Sequence, residues 1–463
     1  MNKSTWCPMS MQKTLIRIGA CLAGLAFVWL TAVWVIGGSV QSQYKEQLKR
    51  QQQELQSFGI VVRQGEYQRD FFTSQAETVY VSEHDGRVMA RLKHGIRHGP
   101  LLMDQDILGL ASVHSRLSLS TELRQEHLSL DSGQAILTAN SSLSLAGQLN
   151  SRLAAPAAVW TTDSSRLAWS ELSGRIEHDA AGQGPLSLSL NVASLKARRS
   201  GDGRSFDCQD LEMTYVSEPG TEKIQVERTM NLSIDSMRSA RGDARSSAQT
   251  IRLTGRSFES RGMVNGTAGL SADTLRSGGK VFQEGRLDLR FANIDRSALG
   301  ELRTSGSILV EDGVQGRRGR SNELRKRAFS KLLQASPEVA VPRLRARTGN
   351  GTLSLQGQAG YKPQDDRSPV SLGSAIKGLT AEVDLRMPKD VAAWVVGMVL
   401  SRKEDQGERP TLQAPVKEQG DRWLKGLSAL GLINREQDAY TASARLVDGL
   451  LSLNGMEILD LQP

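Results

Sequence analysis

Residues typical of catalytic and metal sites are scarce in this sequence. Its 463 residues include three cysteines and six histidines, and aromatic residues make up 5%. No G-x-S-x-G, H-E-x-x-H or phosphate-loop motif occurs, and no histidine stands near acids at the spacing of metal ligands. We therefore predict a protein that is not an enzyme and that holds no metal ion and no cofactor.

Signatures of nucleic-acid binding are also lacking. The formal net charge is +8, which would suit anionic lipid, a polyanionic glycan or nucleic acid. However, Lys and Arg are scattered among Asp and Glu, and no zinc-finger, helix-turn-helix or RNA-binding motif occurs. We expect no nucleic-acid partner.

A long uncharged run does occur, at residues 18–40, with the sequence IGACLAGLAFVWLTAVWVIGGSV. A helix of about 20 apolar residues spans a bilayer core. Basic residues precede the run without any acid, so residues 1–17 are expected in the cytoplasm and the chain from 41 onward outside it. A cleaved signal peptide is the alternative, but the run is long for one and residues 40–43 make a poor cleavage site. We predict an uncleaved, single-pass signal anchor.

The cysteines agree with this topology. Cys7 would be cytosolic and Cys21 would lie in the membrane, which leaves Cys208 alone on the outer side. An intramolecular disulfide is therefore not expected there, and Cys208 is predicted to be a buried free thiol.

Residues 41–59 are predicted to form a membrane-proximal helix that ends at Gly59. Its apolar and amide side chains follow the alternating four- and three-residue spacing of a short coiled coil, at Tyr44, Leu48, Gln51, Leu55 and Phe58. Two heptads fit either a homodimer or a helix that packs on its own domain.

From residue 60 to about residue 315 the hydrophobic pattern has period two. Segments such as RLSLSTEL, PLSLSLNV and MNLSIDSM alternate aliphatic with polar residues, as half-buried antiparallel strands do. The pattern predicts a mainly β protein in which residues 60–463 form an elongated, curled antiparallel sheet with a few packing helices. Its aliphatic face either packs on a second layer or lines a groove.

Three helices are predicted in the C-terminal part, at 321–335, 391–400 and 422–433. The first would be capped by Ser321 or Asn322, and it marks a subdivision near 316–345. Its basic residues, Arg325 and Arg327 among them, suit either solvent or an anionic membrane. The second is wholly apolar and would be buried or interfacial. Turn residues Asp448 and Gly449 predict a closing hairpin.

The stretch RLKHGIRHGPLL places His94 and His98 four residues apart. On a helix this spacing would suit a zinc site, but Gly95, Gly99 and Pro100 disfavour a helix. Two strands joined at Asp85–Gly86 are predicted instead. On a strand, the two histidines would lie about 13 Å apart, too far for one metal ion. We interpret the stretch as a structural turn at a strand end.

Four segments together carry a family resemblance. They are VVRQGEYQRDFFTSQAETVYV at 61–81, IRHGPLL at 96–102, LLQASPEVAVPRLRARTGNGTLSLQGQ at 332–358 and YTASARLVDGLLSLNG at 440–455. With the N-terminal run, the chain resembles the YdgA-like family of bacterial envelope proteins of unknown function. The resemblance implies a Gram-negative inner-membrane anchor, a β-rich periplasmic domain and no established activity. The residues that match its motifs, with structural roles, are Tyr67, His98, Gly99, Pro100, Asn454 and Gly455.

Two functions follow from these observations. One is a protein of the bacterial inner membrane, with the bulk of its chain periplasmic, that handles lipid or glycolipid in an apolar groove and contacts an anionic headgroup through Arg325 and Arg327. The other is a structural or interaction protein with a closed core and no ligand, for which a homodimer is one arrangement. An open aliphatic face would favour the first function, and a covered face the second.

Overall fold

The structure is a computed structural model that describes most of the chain beyond residue 41. The described ranges are 59–98, 109–129, 134–179, 184–201, 203–220, 226–242, 244–302, 318–362, 377–404 and 416–460, with separate positions between 42 and 55. The predicted anchor at 18–40 lies outside the described residues. Within the described part, no helix combines the length and the apolar character needed to cross a membrane.

Strands dominate the described part of the chain. The helices are α1 at 42–55, α2 at Thr121–His127, α3 at 296–302, α4 at Arg318–Gln334, α5 at Lys389–Glu404 and α6 at Val416–Ala429. The first ten strands are β1 Ile60–Arg69, β2 Thr73–Ser82, β3 Val88–His98, β4 Gly109–Leu119, β5 Leu128–Ser129, β6 Leu137–Ser144, β7 Gln148–Ala155, β8 Ala158–Thr161, β9 Ser165–Trp169 and β10 Leu172–Asp179.

The later strands are longer. They are β11 Leu186–Arg199, β12 Ser205–Pro219, β13 Val226–Arg241, β14 Ala244–Ser260, β15 Met263–Ser277, β16 Lys280–Asp295, β17 Glu338–Thr348, β18 Gly351–Tyr361, β19 Leu379–Pro388, β20 Asn434–Arg435, β21 Ala439–Val447, β22 Leu450–Leu453 and β23 Met456–Asp460. The prediction of a mainly β chain with large antiparallel pairing and few helices is confirmed.

The chain divides into two compact units. The first contains residues 1–160 and 171–186, and the second contains 161–170 and 187–463. In the first unit, antiparallel pairing runs in the order β1, β2, β3, β4, β6, β7, β10, and β5 pairs with β8. The range predicted as a subdivision, 316–345, falls inside the second unit.

The second unit is an antiparallel meander. Pairing runs from β12 through β13, β14, β15, β16, β17, β18 and β19 to β21, β22 and β23. In addition, β9 pairs with β11 and β20 with β21. Nearly every strand thus pairs with its sequence neighbour, because short turns connect successive antiparallel strands.

Strands β12–β16 share one irregularity, at positions that lie side by side across the sheet. There the spacing between apolar residues along the strand changes from two to three. Cys208 and Leu211 illustrate this on β12, and they pair with Met237 and Ile234 on β13 in an unbroken register. Left-handed φ values of 50°, 51° and 52° occur at this level on β12, β14 and β16, at Asp210, Thr250 and Glu284. The extra residue in each strand acts as an aligned bulge, so the apolar face stays on one side of the sheet.

Helices α5 and α6 form a small core against the ends of β19 and β21. Ala392, Ala393 and Leu424 are buried there with Tyr440. Of the two alternatives predicted for 391–400, buried or interfacial, the structure shows burial at Val391, Ala392 and Ala393, which are at most 3% exposed. The predicted bounds 422–433 are wrong, because α6 begins at Val416 and ends at Ala429. Gly431, with φ of 74°, follows the helix end and allows the chain to turn.

Helix α4 is confirmed, but its predicted cap is wrong. The helix begins at Arg318, so Ser321 and Asn322 lie inside its first turns. Ala328 is fully buried and Leu333 nearly so, as the predicted apolar stripe requires. The sequence pattern missed the start because the first turn consists of Arg and Gly, which carry no apolar periodicity.

Helix α1 packs on its own unit. The Tyr44 hydroxyl lies 2.8 Å from the carbonyl oxygen of Glu77, to which it donates. Gln51 accepts from Tyr80 at 3.3 Å, and Gln52 accepts from the Val62 amide at 2.6 Å. Two of the five predicted seam residues are thus used in intramolecular contacts, which favours docking over a coiled coil. Phe58 lies outside the described residues.

Candidate functional site: an aliphatic sheet face

A row of aliphatic side chains crosses eight neighbouring strands of the second unit. Each residue in it is paired directly with the next, so their side chains are cross-strand neighbours on one face. We call this row the leucine ladder; its members are Met213, Leu232, Leu253, Leu270, Leu287, Leu344, Leu355 and Leu385. At about 4.8 Å per strand, the ladder is about 34 Å long.

The leucine ladder is not covered as a protein core would be. No member is fully buried, and Leu270, at the middle of the sheet, is 42% exposed. Leu275 and Val339, which flank the ladder on β15 and β17, are 41% and 47% exposed. Leucines at the centre of a two-layer sheet are normally almost fully buried. This face is therefore only partly covered at the level of the ladder, whereas Cys208, Ala248 and Phe282, further along the same face, are buried.

Small residues lie beside the ladder. Gly255 pairs with Ala268, which pairs with Leu289. One step further, a Cβ on Gly266 would come within 2.7 Å of the Phe291 ring, so that ring lies over the glycine. The surface is aliphatic and glycine-rich, and it offers shape and dispersion contacts without any acid, base or nucleophile.

A buried ion cluster lies beyond these small residues. The Glu259 side chain is 2% exposed and accepts from Arg228 at 3.3 Å and from Arg296 at 2.6 Å. These bonds connect β13, β14 and the start of α3. Since both carboxylate oxygens have partners, the cluster is a structural tie and offers no free group for chemistry.

The histidine stretch forms a strand, as predicted. His94 and His98 both lie on β3, which pairs with β2 across residues 83–87. His98 is 1% exposed, and its Nε2 lies 3.1 Å from Ser74 Oγ. Burial lowers the pKa of His98, the Thr73 backbone partly offsets this, and the charge of Arg69 lowers the pKa further. Gly99 and Pro100 lie outside the described residues.

The family-like Tyr67 belongs to an aromatic cluster under α1. Its ring stacks on Tyr44 at 5.9 Å between centroids, and Tyr44 meets the edge of His94 at 5.8 Å. Burial raises the pKa of Tyr44, and burial lowers the pKa of His94. His94 Nδ1 lies 2.8 Å from Ser115 Oγ. The cluster holds the helix on the sheet; sequence spacing did not reveal it because its members come from α1, β1 and β3.

Asn454 and Gly455 form the last turn. Their φ values are 49° and 82°, which suits a two-residue hairpin loop between β22 and β23. The Asn454 side chain also accepts from the Ser443 amide at 2.9 Å and donates to the Gly431 carbonyl at 3.2 Å. The motif therefore joins the hairpin to the segment after α6. Asp448 and Gly449, with φ of 50° and 79°, form the predicted preceding turn.

The remaining predictions concern α4, metal binding and Cys208. Arg325 and Arg327 lie on α4, and neither forms an ion pair with a described residue. In the described ranges, no three His, Cys, Asp or Glu residues converge on a possible metal position. Cys208 is a buried free thiol, as predicted, and burial raises its pKa.

Comparison with known proteins gives one family match. The model of DUF945, described as a bacterial protein of unknown function, matches residues 11–459. No curated protein and no solved structure matches the chain. The match covers nearly the whole chain but supplies no activity.

Proposed function

Because the chain belongs to the DUF945 family of bacterial proteins of unknown function, we propose its function from its own surface: it is a non-enzymatic cell-envelope protein that binds lipid acyl chains along the leucine ladder. The observation that carries this proposal is the exposure of the ladder at the centre of a wide sheet, with Leu270 at 42%. A large exposed apolar face on a folded domain marks a binding surface.

The chemistry of the face favours lipid over a protein partner. Protein interfaces are enriched in Trp, Tyr and Arg at their energetic centres. The ladder consists of one methionine and seven leucines, and its neighbours include Gly255 and Ala268. Such a surface offers uniform dispersion contacts, and each CH₂ moved onto it from water contributes about 0.8 kcal/mol.

The dimensions also fit an acyl ligand. A ladder about 34 Å long is comparable to the hydrocarbon core of a bilayer, which is about 30 Å thick. Because the bilayer core contains two layers of acyl chains, one extended chain would occupy only part of the ladder. In this proposal an anionic headgroup contacts Arg325 and Arg327 on α4, whose guanidinium groups have no described ion-pair partner.

The proposal includes a cellular location for the protein. Residues 18–40 would anchor the chain in the bacterial inner membrane, and the sheet would lie in the periplasm, as in the YdgA-like proteins that the sequence resembles. An anchored sheet would stay beside a membrane from which lipid can be taken.

Photo-crosslinking tests the lipid proposal. A benzophenone amino acid is placed at Leu253 or Leu270 in the full chain, expressed in cells and irradiated. Ser271 is the matched control, because adjacent strand residues point to opposite faces. We expect a phospholipid or glycolipid adduct at both ladder positions, detected by mass spectrometry, and none at Ser271.

Other outcomes distinguish the alternative. Crosslinks to protein alone at Leu253 and Leu270, with no lipid extracted from the purified chain, would replace lipid handling by an interaction function. Native mass spectrometry of the same preparation would then report whether the partner is a second copy.

A further inference from the structure

A second surface of the same unit carries concentrated positive charge. A cavity of about 430 Å³ opens over the ends of β11–β15. Its charged lining comprises five cations and one carboxylate: Lys196, Arg198, Arg238, Arg245, Arg276 and Asp207. Cavities of this size accommodate small ligands.

The register places the cations around one hydroxyl group. Arg238 on β13 pairs with Ser247 on β14, which pairs with Arg276 on β15. The two arginines therefore flank Ser247 from the neighbouring strands, about 10 Å apart at their backbones. Arg245 lies two residues from Ser247 on the same strand face. Three guanidinium groups can thus converge above the Ser247 hydroxyl.

These cations have no partner among the described residues. None of the five forms an ion pair or a side-chain hydrogen bond within that part of the chain. Asp207 stands opposite Arg238, but its buried Oδ1 accepts no hydrogen bond from a described residue. Unneutralised guanidinium groups in a concave site repel one another unless an anion joins them, and their planar donors match phosphate oxygens.

We propose that this cavity binds a ligand with at least two negatively charged phosphate oxygens, held by Arg238 and Arg276 with Ser247 between them. The cavity opens on the face opposite to the leucine ladder, because Arg238 and Arg276 each adjoin an apolar-face residue, Met237 and Leu275. The site therefore does not depend on the lipid-binding proposal. The ligand is either a free phosphate compound or the phosphate of a lipid headgroup.

Calorimetry on the full-length chain tests the site with two probes. Inorganic pyrophosphate represents a free phosphate compound, and a short-chain phosphatidic acid below its micelle concentration represents a headgroup. The pocket variant is Arg238→Gln with Arg276→Gln. The control is Arg252→Gln with Arg343→Gln, which removes the same charge at exposed sheet positions outside the cavity.

We expect the wild-type chain to bind at least one probe. The pocket variant should bind it at least about tenfold more weakly, as expected when paired charge contacts are removed, while the control stays within about twofold. Preference for pyrophosphate indicates a free compound, and preference for phosphatidic acid indicates a headgroup. Absence of binding by the wild type, or equal weakening in both variants at matched melting temperature, would overturn the proposal.

Discussion

At the scale of single residues, several buried polar side chains stand out in the described part of the chain. His98, Glu259 and Ser74 are each at most 2% exposed, and each has a hydrogen-bond partner. A buried polar group with its partner stabilises one arrangement, and the same group without it costs about 1–3 kcal/mol. Substitutions of these three residues are therefore best tested for their effect on stability.

His98→Ala is expected to lower the free energy of unfolding by about 1–3 kcal/mol, because it leaves Ser74 unpaired in a buried site. Denaturant unfolding measures the change. His114→Ala is the control, since His114 is exposed on the neighbouring strand and substitutions there usually cost less than about 0.5 kcal/mol. Stoichiometric zinc binding that disappears with His98→Ala would show that the residue is a ligand instead.

The ion pair between Lys280 and Asp390 joins β16 to α5 and predicts a pH dependence. Burial raises the pKa of Asp390. Hydrogen bonds from Lys280 and Asn350, together with the Lys280 charge, lower the pKa by more than burial raises it, so it lies below its usual value. A carboxyl with a depressed pKa stabilises the fold above its unfolded-state pKa, and this contribution is lost as the pH falls through the folded-state pKa.

Asp390→Asn should therefore lower the melting temperature at neutral pH, and the difference from wild type should shrink in acid. Asp235→Asn, at an exposed position without an ion pair, is the control. A deficit that is the same at pH 3 and pH 7 would mean that the lost packing, and not the charge, matters at Asp390.

At the scale of elements, contacts between helices and strands fix positions that sequence periodicity leaves open. Helix α6 lies so close to α5 that a Cβ on Gly420 would stand 1.9 Å from the Ala393 carbonyl oxygen. Gly426, on the same helix, has nothing within 4 Å of such a Cβ. The two glycines lie on one helix and have different structural roles.

Gly420→Ala is expected to destabilise the second unit by about 1–3 kcal/mol, because the helices must move apart. Gly426→Ala should instead stabilise it by up to about 1 kcal/mol through helix propensity. Thermal unfolding of the two variants gives the comparison directly. Stabilisation by both substitutions would mean that α5 and α6 are not packed this closely.

At the scale of the whole molecule, the proposed location and the proposed lipid surface depend on each other. Lipid binding by the ladder requires access to a membrane, and the uncharged run at 18–40 would provide it. Topology is therefore the property to measure before any ligand is sought.

Alkaline phosphatase fused after residue 463 should be active in a bacterial host, since the positive residues before the run keep the N-terminus in the cytoplasm. The same enzyme fused after residue 17 should be inactive and serves as the control. An inactive C-terminal fusion would refute the topology, and a mature N-terminus near residue 41 would refute the anchor.

Sequence by itself determined the class of the fold, because period-two alternation and turn residues are local properties. Strands around His94, the turn at Asp448 and the apolar helix at Val391 could all be predicted in this way. Helix bounds were less predictable, since Arg318 and Val416 begin helices in segments without apolar periodicity.

Only the tertiary structure decided which residues meet. Strand register joins one methionine and seven leucines from eight separate strands into one ladder, and it places Arg238 and Arg276 on either side of Ser247. Such pairs lie between 9 and 57 residues apart in the chain, and a shift of one residue in register would move each side chain to the other face. The exposed aliphatic surface and the cationic cavity are therefore properties of pairing, which local sequence patterns do not encode.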